Sequence, residues 1–308
     1  MKKVWKLLTF HLQQDFHVRQ YLSVAFFLAC CLSINYSINF ENGILDRQEG
    51  FLKFLYFFLT YAFAYYFVLA TTSFFKNEKS FWHRREFIVK SLLVLIVLSL
   101  DSSMPYLKKI ITYFFVPEVE YWIYKIGNNI CSLVIIPVPL LIYYWMYDRR
   151  EGHVYGLRAR RFDYRPYFVM LLFMLPLIAI ATTEGSFIRQ YPMYKTSSAH
   201  VYLHKPEWYT ALIYEVTYAL DFITVEFLFR GFMIIGMMNV LGRNAVLPMA
   251  AAYCFIHFGK PPGEAISSIF GGYILGVIAL ETKSIWGGII VHIGIAIMME
   301  VAAYLVKL

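Results

Sequence analysis

The chain has 308 residues, of which 59% are hydrophobic, 19% aromatic and 16% charged, with a mean hydropathy of +0.55. A soluble globular domain is about a quarter charged, so this chain lacks the polar surface to cover itself in water. An ordinary soluble enzyme, a nucleic-acid module and a disordered chain are excluded, and the formal charge of +8 is the Lys/Arg excess that holds cytoplasmic loops in place.

In chain order, residues 1–20 predict an interfacial amphipathic helix. Val4, Leu8, Leu12 and Phe16 recur every fourth residue beside Lys2, Lys3 and Lys6. Apolar windows then predict spans near 21–40, 51–75, 87–105, 119–147, 166–184, 207–240, 245–259, 264–281 and 284–306. The fourth carries Gly127, Asn128, Asn129, Pro137 and Pro139, which predict a broken or kinked helix. Eight spans are therefore as defensible as nine. The expected fold is all-α, a polytopic transmembrane helical bundle of 8–9 spans. Cys30, Cys31, Cys131 and Cys254 sit inside apolar runs and show no metal-type spacing.

Basic residues orient the spans. With the N-terminus inside, cytoplasmic segments carry sixteen Lys and Arg and the opposite side ten. Residues 148–165 alone hold six arginines: Arg149, Arg150, Arg158, Arg160, Arg161 and Arg165. The expectation is an integral multi-pass protein of a bacterial plasma membrane with a cytoplasmic N-terminus. The polar loop 185–206, with Pro192, Ser197 and Ser198, divides accessory helices over 21–184 from a core over 207–308. That loop is read as extracytoplasmic.

Ionisable groups at membrane depth concentrate after this loop. Each costs about 2.5–3.5 kcal/mol on insertion scales and marks function by default. They are Glu215, Asp221, Glu226, Arg230, His257, His292 and Glu300. Glu226 and Arg230 are i and i+4 on one helix face and can pair. Asp221 lies near the opposite side from Arg230, in position to cap or bond another helix. Counting at about 1.5 Å per residue puts Glu226 and His257 roughly 21 Å from the cytoplasmic helix ends and His292 roughly 12 Å. One Glu and two His can activate water for amide hydrolysis, ligate zinc, or relay protons in a transporter. Residue types alone leave these three open.

At Glu226-Phe227-Leu228-Phe229-Arg230-Gly231 the sequence resembles the CPBP family of intramembrane proteases, which includes the type II CAAX prenyl endopeptidases. The family pattern is Glu-Glu-x-x-x-Arg, then Phe-x-x-x-His, then His-x-x-x-Asn or Asp. Glu226 matches the second Glu and Arg230 the Arg. Tyr253-x-x-x-His257 stands for the second motif with a conservative aromatic change, and His292 matches the third. Gly271 to Gly276, then Thr282, Ser284 and Trp286, resemble the family's small-residue helix and tight turn. Two positions depart: the first Glu is Val225 and the closing Asn is Ala296.

The resemblance implies a CPBP-like four-helix core within 207–308 and a membrane-embedded endopeptidase. In that reading Glu226 is the acid/base, His257 shares the water, His292 orients the oxyanion and Arg230 holds Glu226. Its partners are a peptide or membrane-protein substrate and the bilayer, with no nucleic acid. No cofactor is expected; zinc is disfavoured by the different depths of the histidines and the lack of H-E-x-x-H. Val225 and Ala296 motivate the alternative of a degenerate scaffold that binds or regulates partners. A proton-coupled transporter comes third, because broken helices do not recur in two halves. Glu264, past Pro261-Pro262-Gly263, is read as a helix N-terminal charge, with a stand-in acid near His257 as the other option.

Overall fold

The computed structural model describes residues 2–157 and 163–307, so Arg158, Arg160 and Arg161 of the arginine-rich segment lie outside the described residues. Every element is helical, with no strand among the described residues. The first half comprises α1 (Lys2–Asp15), α2 (Val18–Ile38), α3 (Gly50–Phe75), α4 (Arg85–Ser103), α5 (Leu107–Phe114), α6 (Pro117–Ile135) and α7 (Pro137–Tyr143). Then come α8 (Arg165–Ala181), the short α9 (Gly185–Gln190) and α10 (Ala199–Tyr202), and α11 (Glu207–Glu226). A π-helix, Phe227–Gly236, carries α11 on towards α12 (Met238–Leu241). Last are α13 (Val246–Phe255), α14 (Pro262–Thr282) and α15 (Trp286–Lys307).

Prolines place several boundaries. Pro117 and Pro262 open α6 and α14, where a missing N–H costs nothing. Pro137 separates α6 from α7, which is the break predicted inside 119–147.

Six helices are long and apolar enough to cross a membrane: Val18–Ile38, Gly50–Phe75, Arg85–Phe114, Pro117–Asp148, Pro262–Thr282 and Trp286–Lys307. That is fewer than the eight or nine read from apolar windows. The window 166–184 folds into a helix of 17 residues, and 245–259 into one of only 10. The window 207–240 is interrupted by charge and by the π-helix. All ten residues of α13 are nonetheless buried, because α3 and α14 enclose them. The short helix faces protein along its length.

Side-chain contacts sort the loops onto two ends. At one end Lys76 Nζ bonds Asp15 (2.6 Å) and Asn244 (2.9 Å), and Arg243 pairs with Glu281. Trp286 Nε1 donates to the Leu157 carbonyl at 2.8 Å, which adds the 148–157 segment to this end. Here α1 docks on α14 through buried Val4, His11 and Asp15, while Trp5 stays exposed. Burial pushes the His11 imidazole below its ordinary value, against the opposing pull of Asp15. At the other end Tyr36 donates to the Lys260 carbonyl (2.9 Å), Tyr191 to Glu264 (2.8 Å) and Ser198 to the Glu118 carbonyl (2.7 Å). Each end gathers the loops that the charge pattern had grouped together.

A buried lysine ties the accessory helices to the π-helix. Lys90 of α4, fully enclosed, bonds Asp148 (2.9 Å), Glu86 (2.8 Å) and the Gly236 carbonyl (2.7 Å). Tyr155 donates to the same Asp148 at 2.8 Å. A Cβ on Gly231 would come 2.9 Å from the Tyr155 carbonyl oxygen, and one on Gly236 would come 3.0 Å from the Tyr155 ring. The 148–157 segment thus lies in a notch that the two glycines leave open. Removing Lys90 strands the buried Asp148 charge, which costs about 3–5 kcal/mol in comparable pairs. Lys90→Ala is therefore expected to lower the thermal unfolding midpoint in detergent sharply, and Lys90→Ala combined with Asp148→Asn less so. Equal midpoints for native and Lys90→Ala would contradict this account.

Candidate active site

The site forms where α11, the π-helix, α13 and α15 meet. Glu226 ends α11 fully buried, and Arg230 sits one turn into the π-helix, 1% exposed. Their ion pair spans 2.9 Å from Nη1 to Oε1, held by charge rather than by an aligned hydrogen bond. The predicted i,i+4 pairing therefore forms. The same Oε1 lies 3.1 Å from His292 Nδ1 on α15. Oε2 packs against Gly288, one turn before His292, where a Cβ would collide with the carboxylate. This glycine is what lets α15 approach the acid.

Rise counting had set His292 nearer the cytoplasmic end than Glu226, yet the two touch. The count assumed uniform α-helical rise, which the π-helix between Glu226 and Met237 breaks, and it started from the ends of separate helices, whose relative height only packing sets.

His257 lies just past α13, in the turn leading to α14. Its Nδ1 is 2.8 Å from the Tyr253 carbonyl oxygen. A carbonyl only accepts, so Nδ1 carries the proton and the neutral ring keeps its lone pair on Nε2. The turn is fixed from the accessory side: Asn35 Nδ2 donates to the Phe258 carbonyl at 2.9 Å and Tyr36 to that of Lys260. Among the described residues no hydrogen bond joins His257 to Glu226. The Tyr253 ring stands between the histidines, its centroid 4.7 Å from that of His257 and 6.0 Å from that of His292.

Two residues join the site without having been singled out for it. Tyr253 places its hydroxyl 3.2 Å from His292 Nε2 and its ring face 4.2 Å from the Arg230 guanidinium carbon. The Phe222 ring packs at a tilt against the imidazole of His292, with centroids 4.3 Å apart. Spacing hinted at the first, since Tyr253 precedes His257 by one turn; nothing local pointed to the second. Val225 packs against the apolar core, and Ala296 is buried on α15. No group of three or more His, Cys, Asp or Glu in ligating array occurs among the described residues, so Glu226, His257 and His292 do not converge as a ligand triad.

The remaining polar groups are placed apart. Asp221 accepts from Thr224 Oγ1 at 3.0 Å within its own helix. Glu264 stands in the first turn of α14 and accepts from Tyr191. Glu300 accepts from the Met193 backbone N–H at 2.9 Å and pins the 191–195 segment.

Residues 166–298 match the Rce1-like family model. Its description is Type II CAAX prenyl endopeptidase Rce1-like. The match runs from the start of α8 into α15 and encloses the whole site. No curated protein and no solved structure matches the chain. The match to this family model and six apolar helices together describe an integral multi-pass membrane protein.

Within the matched segment Gly288 offers a direct test of the packing. Gly288→Ala forces Glu226 aside, and overpacking of this kind costs about 1–3 kcal/mol. Its midpoint in detergent should fall accordingly, while Gly271→Ala, where a Cβ meets nothing within 4 Å, should stay near native. A native midpoint for Gly288→Ala would show that the carboxylate does not rest there.

Proposed function

We propose that the chain is a membrane-embedded endopeptidase that hydrolyses a peptide bond with water activated at His257. The observation that carries this reading is the pair of imidazoles on either side of Tyr253. Each has its Nδ1 committed, one to a backbone carbonyl and one to Glu226; His257 thereby presents Nε2 for proton traffic, while His292 Nε2 faces the Tyr253 hydroxyl. His257 Nε2 takes the proton of the attacking water. Glu226, paired with Arg230, orients His292 through Nδ1, as a carboxylate does in a catalytic triad. Glu226 acts here through His292, because Oε1 is shared with Arg230 and Oε2 is buried against Gly288. Substrates are peptides or membrane proteins presented from the bilayer, and the Rce1-like match makes a prenylated CAAX peptide the first probe. No metal or cofactor takes part in this scheme.

Purified protein in nanodiscs should cleave such a probe, read by mass spectrometry. His257→Ala should reduce the rate by about 10²–10⁴, the range for positioned proton transfer. Glu226→Gln should fall comparably, since the amide carries no negative charge and its NH2 can donate to Nδ1 and hold His292 in the other tautomer. The double variant should be little worse than either, as residues acting as a unit are not additive. Native rates in either single variant would remove the assignment. A second reading rests on Val225 and Ala296: two apolar positions leave no carboxylate beside His257, as in a degenerate, partner-binding scaffold. On that reading no peptide turns over, and Val225→Glu with Ala296→Asn creates activity where the native chain has none.

The basic end is assigned to the cytoplasm of a bacterial cell, with the N-terminus, by the positive-inside rule. Lys79 and Lys205, both exposed, lie in segments assigned to opposite sides. A cysteine at Lys205 should react with an impermeant maleimide in intact cells, and one at Lys79 only after permeabilisation. The reverse pattern would invert the orientation.

A further inference from the structure

We propose that the Tyr253 hydroxyl is a catalytic group, the donor that holds the carbonyl oxygen of the scissile bond as it gains negative charge. This inference rests on the endopeptidase reading and adds to it the group that stabilises the oxyanion. Amide hydrolysis needs such a donor, and removing one elsewhere costs about 10²–10³ in rate. Ala296, one turn beyond His292 on α15, offers none.

The hydroxyl is held in place from several directions. Phe229 packs edge-on to the ring at 5.1 Å, and the Arg230 guanidinium carbon lies over its face at 4.2 Å. Gly272 of α14 leaves a notch for it, since a Cβ there would come 2.9 Å from the ring. A phenylalanine would fill the same space and keep all three contacts. The oxygen atom is thus an addition that packing does not require, and its partner is His292 Nε2 at 3.2 Å.

Protonation of His292 decides what that oxygen does. With the imidazole neutral and Nδ1–H on Glu226, Nε2 accepts and the tyrosine proton is spent on it. With the imidazole charged, Nε2–H donates to the tyrosine oxygen and frees its proton for the substrate. Glu226 faces His292 from α11, Arg230 from the π-helix, and Tyr253 and His257 from α13 and its following turn. In that state one carboxylate faces two cations, Arg230 and the imidazolium, so the set carries a net positive charge that favours an oxyanion beside it. Water then adds to the carbonyl carbon and gives its proton to His257 Nε2, while the carbonyl electron pair moves to the oxygen held by Tyr253. When that pair returns, the C–N bond breaks and His257 passes the proton to the leaving nitrogen. A carboxyl group and an amine result, with water as the one co-reactant.

Tyr253→Phe in nanodiscs, assayed on the prenylated CAAX peptide, tests this. Its kcat should fall about 10²–10³ with KM within about twofold and the melting midpoint retained. Replacing Tyr253 by 3,5-difluorotyrosine, nearly isosteric and a stronger donor, should hold kcat at or above native. A native kcat in Tyr253→Phe would overturn the donor role and leave the endopeptidase reading in place. Absence of hydrolysis by the native protein would remove that reading, and the role of Tyr253 with it.

Discussion

Everything near the site depends on keeping the Glu226 carboxylate charged inside an apolar bundle. An isolated buried carboxylate is costly enough that it would neutralise instead, so its neighbours must compensate it. Arg230 does so from one turn away and His292 from the facing helix. Both contacts reach the same oxygen, which fixes the rotamer and aims the imidazole. The other oxygen is accommodated by the missing side chain of Gly288. A single charge, thus enclosed, sets the distance between α11 and α15 and the orientation of His292.

The π-helix is the backbone device that makes this possible. Its wider turns place Arg230 beneath the Tyr253 ring while still reaching Glu226. Such a segment has weaker internal support than an α-helix and is commonly found at functional sites. Here the support comes from outside: Lys90 binds its last carbonyl, and the 148–157 segment fills the Gly231–Gly236 notch. Asn35 and Tyr36 of α2 in turn hold the backbone that carries His257. The first half of the chain therefore braces the chemistry-bearing half at both ends of the bundle.

The lipid-facing side of this arrangement is plain. Phe74, Leu172, Phe173 and Phe270 are exposed apolar side chains of the kind a bilayer solvates. Inside, polar groups are paired across helices, as Tyr66 with Ser91 and Tyr61 with Ser102 show. Those bonds align α3 with α4 where the hydrophobic effect between lipid-exposed helices supplies no direction.

Composition and periodicity were enough to establish an all-helical membrane chain, and Lys/Arg placement grouped the loops correctly onto two ends. Local chemistry is legible in the same way: Pro137 breaks its helix, and Glu226 pairs with Arg230, because both effects act within about one turn. Span count was less legible, since an apolar window does not reveal that α13 is short and enclosed by protein. The site was legible only in part. Residue type marked Glu226, His257 and His292 as misplaced in lipid, but the meeting of Glu226 with His292 is set by the packing of α11 on α15, which no rise count along single helices anticipates. Tyr253 was legible as the motif aromatic one turn before His257, but nothing in the sequence gave its hydroxyl a partner. Only the packing of α13 against α15 put its hydroxyl on His292, and that contact spans 39 residues of sequence. Sequence fixes which groups are costly to bury; tertiary structure decides which of them meet, because compensation of a buried charge comes from helices that only folding brings together.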